Sequence, residues 1–427
     1  MLLRGKKMRQ VSLKKVLLVI QKTLDSMDER LIGHGEEVAY IMYKLLKASN
    51  NYSKDEILKL MKIAMFHDIG AYKVEERNTV LDIDLEDPMD HAVYGSLFIK
   101  YFSPLSDLAP VILGHHLYAK DYDNEMKNII PKEALLLHLA DYIAILKMHC
   151  ETMEKSWMMD MIGEIALPEH KKLFDIACDK YNLLDKIKDN SYSEELYKFF
   201  DAILLTREEV ISYIKMLTYA IDFRSEVTVI HAITVEEISL QIANVLDLDE
   251  RIANKIRVAS MIHDIGKIAT PVEILEKPGK LTNEEYEKIK EHSIIGYKIL
   301  SDVGLDDLRD IATLHHEKLD GTGYPFGLKG DEISREVRVV AIADVISALV
   351  YRRSYKSEFS DEDVISILSS MAFDNKIDRE ICNLVIDNYD CIMNKVRINT
   401  KEMLALYNNL MEEYELLLNC FEKKCFR

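Results

Sequence analysis

The sequence predicts an all-α chain built from two copies of one helical domain joined by further helices. Three observations carry this. Apolar residues recur at helical spacing along most of the 427 residues. Fifteen glycines and eight prolines are few for that length. Histidines and aspartates return in one fixed order about 200 positions apart, the mark of a duplicated domain rather than of short stacked repeats.

The first helix is expected over Leu13 to Leu31. His34, between Gly33 and Gly35, opens a second apolar-periodic segment, Val38 to Leu46. Ser53-Lys54-Asp55-Glu56 reads as a capping box, each end satisfying a free amide of the other. It starts a helix, Ile57 to Phe66, expected to run into His67-Asp68-Ile69-Gly70 and to stop at the glycine. Asp90-His91, Gly114-His115-His116 and Asp141, within the apolar run Ala134 to Leu146, follow.

The same series then returns. His231 opens an apolar segment, and Asp247-Leu248-Asp249-Glu250 starts a helix expected to end in His263-Asp264-Ile265-Gly266. Thr282-Asn283-Glu284-Glu285 caps the helix that carries His292. His315-His316 and Asp344, in the run Val337 to Val350, complete it. The matched pairs His34/His231, His67/His263, His91/His292, His115/His315 and Asp141/Asp344 stand 197, 196, 201, 200 and 203 residues apart. The expected division is residues 1–150, a helical linker 151–209, and residues 210–427 with an amphipathic tail, Lys401 to Leu418, read first as a helix that covers its domain and otherwise as one that pairs with another helix in a homodimer.

Composition narrows the function. A net charge of −18 argues against nucleic-acid polymers and anionic lipid as partners. Val16 to Ile20 is too short for a membrane span, and six cysteines without a CxxC pair suggest a reduced, cytoplasmic setting. The densest chemistry lies in His315 to Pro325, where two adjacent imidazoles and nearby carboxylates precede Gly321-Thr322-Gly323-Tyr324-Pro325. Imidazoles and carboxylates gathered from several helices can surround two cations, with Asp264 placed to bridge them. Such a pair about 4 Å apart supports in-line phosphoryl displacement. With no thiolate in the set, iron or manganese is expected before structural zinc.

His263-Asp264-Ile265-Gly266-Lys267, the run Ile274 to Thr282, His292 and His315 to Pro325 together resemble the HD-GYP family, over roughly residues 222–400. The resemblance implies tandem HD-domain helical bundles and hydrolysis of a cyclic dinucleotide, cyclic di-GMP foremost, to a linear dinucleotide or GMP. It implies two divalent metal ions on His231, His263, Asp264, His292, His315, His316 and Asp344. Asp264 and Lys267 would be catalytic, with Lys267 on the scissile phosphate. Gly323, Tyr324 and Pro325 would shape the substrate side, with Arg338 and Arg353 as further phosphate contacts. Val227 stands where some members carry a glutamate for a third metal, and Ser347 and Ser354 stand where an aspartate and a proline are common. The first copy resembles an HD domain with a second metal set, His34, His67, Asp68, His91, His115, His116 and Asp141. It has Ala71 in place of the lysine, with Lys73 displaced, and Leu117 to Asp121 in place of the Gly-Tyr-Pro loop. The competing readings are an HD phosphohydrolase for another nucleotide and a cyclic dinucleotide receptor without turnover.

Overall fold

The computed structural model describes residues 11–26, 32–72, 89–150, 153–163, 165–222, 226–275, 277, 279–350 and 359–422. Among these the chain is almost wholly helical, and the strands, Val11–Ser12 and Leu204–Leu205, are a two-residue antiparallel pair. No described helix is long and apolar enough to cross a membrane. Two compact units form, one from residues 217–409 and one from residues 11–216 with 410–422.

In the first-copy unit, helix His34–Ser49 is the centre. Val38, Ile41, Leu45 and Leu46 are fully buried along it. Helices Pro168–Tyr181 and Tyr192–Asp201 pack on the same helix and bury Phe174 and Phe200. Tyr40 Oη and Lys44 Nζ both donate to Glu195, at 3.0 and 2.6 Å. The segment expected as a linker is therefore body of this unit, because its apolar stripe has the His34 helix to bury against. The tail also differs from expectation. Helix Tyr389–Glu422 is continuous, and its end belongs to the first-copy unit, where Leu410 and Tyr414 are buried and Tyr414 stands edge-on to Tyr94 at 5.3 Å.

The second-copy unit repeats the plan with helices Glu226–Val245, Glu250–Met261, Asn283–Asp302 and Arg335–Val350. Both capping boxes are present: Ser53 Oγ accepts from Glu56 N, and Thr282 Oγ1 from Glu285 N, each at 3.2 Å.

The helices expected to end at Gly70 and Gly266 stop earlier, at Met65 and Met261, and the His-Asp segments wind on as 3-10 turns, His67–Tyr72 and Ile265–Ala269. These glycines serve approach rather than capping. A Cβ on Gly266 would lie 2.0 Å from the His292 carbonyl oxygen, and one on Gly70 would lie 2.0 Å from that of His91. The missing side chain lets the His292 helix press against the His-Asp turn. Gly266→Ala is expected to cost about 1–3 kcal/mol, as overpacking does, and to lower metal content as His292 is pushed away. Calorimetry and elemental analysis of the purified variant check both, and unchanged values would refute the close-approach role.

Candidate metal centre

Histidine binds metal through one ring nitrogen while the other is fixed by a hydrogen bond. In the second copy, Nδ1 of His263, His292 and His315 donates to the carbonyl three residues earlier, on Ser260, Ile289 and Ala312, at 2.7, 2.6 and 2.7 Å. A carbonyl can only accept, so each ring carries a proton on Nδ1 and turns Nε2 towards the cluster. The Nε2 atoms of His263 and His315 are buried without a hydrogen-bond partner. His231 obtains the same polarity from a side chain. Its Nδ1 lies 2.9 Å from Ser347 Oγ, which donates in turn to the His231 carbonyl at 3.3 Å.

These nitrogens converge on two carboxylates. Asp264 Oδ2 is 3.2 Å from His263 Nε2 and 3.7 Å from His231 Nε2, while its Oδ1 faces His292 Nε2 at 3.3 Å. The two oxygens thus look towards two groups, His231-His263-Asp264 and Asp264-His292-His315-His316, each tight enough to hold an ion. Asp344 closes the ring, 3.3 Å from His231 and 3.7 Å from His316.

Charge favours ligation. Burial works against ionising Asp264, but His263 and Lys267 outweigh it and hold the carboxyl well below its usual range. Asp344 is held low in the same way by His231 and His316. Burial and the neighbouring His316 push His315 well down, and burial brings His316 to about 3. Burial opposes charge on His263, but Asp264 outweighs it and raises that imidazole above its usual value, so a divalent cation, which requires neutral imidazoles and ionised carboxylates, would displace a proton there. Lys267 Nζ donates to Asp264 Oδ2 with a quarter of its side chain exposed.

The loop after His316 is held by Glu317, 3% exposed. Its Oε1 accepts from Phe326 N and Gly327 N at 2.6 and 3.1 Å, and its Oε2 from Leu328 N at 3.0 Å. A Cβ on Gly323 would lie 2.4 Å from Lys318 N, so the loop closes only with glycine there. Tyr324 is thereby laid over His316, ring centroids 4.6 Å apart.

The first copy has similar distances about its aspartate but a different grouping: its candidate sets are His67-Asp68-His115, His34-His67-Asp141 and His91-His115-His116, with His116 Nε2 2.8 Å from His91 Nε2. Asp68 Oδ2 lies 3.3 Å from His67 and 3.7 Å from His34, and its Oδ1 3.8 Å from His91. Asp141 lies 3.0 Å from His34 and 3.4 Å from His67. Nδ1 of His67 and His115 again donates three residues back, to Ala64 and Ile112. At the lysine position, Ala71 is fully buried, and where the second copy stacks Tyr324 on His316, Tyr118 stands over His138 at 5.3 Å.

Family comparisons agree with this pairing. Residues 31–146 and 215–381 each match an HD domain model. A 3′3′-cGAMP-specific phosphodiesterase of Vibrio cholerae is 29% identical over 409 residues, covering 88% of this chain and 92% of that protein. A cyclic di-GMP phosphodiesterase of Thermotoga maritima is 38% identical over 183 residues, which span 42% of this chain and 48% of that one. The chain belongs to the HD-domain phosphodiesterases. In fold, this HD-domain phosphodiesterase is also similar to a crystal structure of a cyclic GMP-AMP specific phosphodiesterase of Vibrio cholerae. That likeness has a TM-score of 0.57 at 17% identity and covers 90% of this chain and 98% of that one. HD-domain phosphodiesterases are metal-dependent, and both copies carry a fitting set of nitrogens and carboxylates.

One residue expected to meet phosphate has partners within its own unit. Arg338 is used inside this HD domain, where Nε donates to Ile333 O at 2.8 Å, Nη1 to Asp378 at 2.8 Å and Nη2 to Gly330 O at 2.9 Å. With Nε and one hydrogen of each Nη engaged in this way, it braces the loop exit. Arg353 lies outside the described residues, as do Lys73 and Ser354. The sequence reading gave no role to Glu317, whose adjacency to two ligating histidines was the signal, and took Ser347 only as a departure. Glu317→Gln replaces one acceptor oxygen with a donor facing backbone amides. We expect it to lose roughly 1–3 kcal/mol of stability, the scale for stranding buried hydrogen-bonding groups. Faster amide exchange at Phe326 to Leu328 should accompany the loss, and exchange equal to wild type would refute the anchor.

Proposed function

We propose that the C-terminal unit hydrolyses a cyclic dinucleotide, cyclic di-GMP foremost, using two divalent ions, iron or manganese. The carrying observation is the division of the Asp264 oxygens between two histidine groups. His231, His263, His292, His315, His316 and Asp344 supply the remaining ligands. Bound there, the cations supply an activated water and neutralise charge on the phosphoryl group. The chain's own residues do the rest. The carbonyl-locked histidines turn their Nε2 atoms towards the cluster. Lys267, tethered to Asp264, places a positive charge at the edge of the pair, where a non-bridging phosphate oxygen gathers charge. The Glu317-anchored loop sets Tyr324 on the substrate side.

We further propose that the first copy holds metal on His34, His67, Asp68, His91, His115, His116 and Asp141. Without a lysine at Ala71 and without the Gly-Tyr-Pro loop, that site has no support as the place of dinucleotide hydrolysis. The two relatives named by substrate act on cyclic di-GMP and on 3′3′-cGAMP, which have a guanine nucleotide in common.

Metal-loaded protein incubated with cyclic di-GMP, 3′3′-cGAMP and cyclic di-AMP, with products resolved by chromatography, tests the reading. Linear products from a guanine-containing substrate are expected, and binding without turnover would favour the receptor. Lys267→Ala should keep its full metal complement yet lose about 2–4 kcal/mol of transition-state stabilisation, the scale for one preorganised electrostatic contact. Kinetics within a few-fold of wild type would make Lys267 an ordinary lysine.

A further inference from the structure

Helix Asn283–Asp302 has two working faces. One carries His292 into the metal cluster. The other presents Tyr286, Lys290 and Tyr297, which recur at helical spacing on a single face. The loop after His316 lies along this second face. Lys290 Nζ stands 5.7 Å from the ring centre of Tyr324 and 5.3 Å from that of Tyr286, and Phe326 meets Tyr297 edge-on at 5.2 Å. Tyr324 in turn rests on His316, so the tyrosine–lysine group is continuous with the metal site.

Packing does not account for Tyr286, which is 48% exposed. An open aromatic face one helical turn from a lysine, beside a site for phosphodiester chemistry, matches what a nucleobase needs. The ring offers a stacking surface to any base. The ammonium, a donor only, matches the adjacent O6 and N7 acceptors of guanine, whereas adenine presents an amino donor at the equivalent of O6. Lys290 also pairs with Glu287 at 2.6 Å, but Glu287 is 68% exposed, and such a surface pair is weak enough for a base edge to replace. The first copy has Met89 at this register, 201 residues earlier.

The geometry points to a guanine subsite formed by Tyr286 and Lys290, with Tyr324 linking it to the metal cluster. This rests on the phosphodiesterase reading above. Lys290 and Tyr286 are binding and specificity residues here, since neither reaches the ligating atoms.

The test compares steady-state hydrolysis of cyclic di-GMP and cyclic di-AMP by wild type, Lys290→Gln, Tyr286→Leu and Tyr286→Phe, with metal content measured on each. Lys290→Gln is expected to reduce the guanine-over-adenine ratio of kcat/KM by about tenfold, the size of one base-edge contact, mainly through KM. Tyr286→Leu should raise KM for both substrates by about tenfold, the size of one stacking contact, and Tyr286→Phe should restore it. Metal content should match wild type throughout. An unchanged ratio in Lys290→Gln, or a preference for cyclic di-AMP in wild type, overturns the guanine subsite and leaves the phosphodiesterase reading standing. Wild-type protein that turns over neither substrate overturns the guanine subsite, and it overturns the phosphodiesterase reading as well if 3′3′-cGAMP is also left intact.

Discussion

The interaction on which both sites depend is the short hydrogen bond from a histidine Nδ1 to the carbonyl three residues before it. It recurs at His67, His115, His263, His292 and His315. Each bond fixes a proton on Nδ1 and turns Nε2 inward. Where the backbone does not supply the acceptor, at His231, the buried hydroxyl of Ser347 does. A cluster so arranged gathers ring nitrogens around ionised carboxylates, the donor set that a divalent cation takes up. The glycines at positions 70 and 266 serve this arrangement, because they let a helix backbone approach until its histidine faces the shared aspartate.

Duplication has preserved the ligand geometry more closely than its surroundings. The distances about Asp68 and Asp264 agree to within about half an ångström. What differs is how far the ligands meet the outside. His34 and Asp141 are 3% and 7% exposed by side chain, whereas His231 and Asp344 are 19% and 14% exposed. The second copy also adds the Lys267 charge and a loop braced by Glu317 and Arg338. One scaffold thus carries an opened site fitted for a large anion and a closed one fitted for metal.

Much of this was legible in the sequence because ligands must be particular residue types, and the His-Asp series repeats them at matched positions. The capping boxes were equally readable, being local. Legibility failed where the answer depended on what a segment packs against. Residues 151–209 look like a linker until Phe174 and Phe200 find the His34 helix, and the tail changes unit beyond Asn409 because Tyr414 meets Tyr94. Arg338 looked like a phosphate contact because an arginine near a phosphodiesterase site fits that role. Only geometry reveals that two carbonyls and Asp378 already hold it. Glu317 has no signature that separates a ligating carboxylate from one that accepts three amide protons.

The central claim is that Asp264 joins two metal ions with its two oxygens. Elemental analysis of folded Asp264→Ala protein, with circular dichroism to confirm the fold, tests it most directly. The account predicts that the variant loses two metal equivalents per chain relative to wild type while the metal bound by the first copy remains. Loss of one equivalent, or of none, would contradict it.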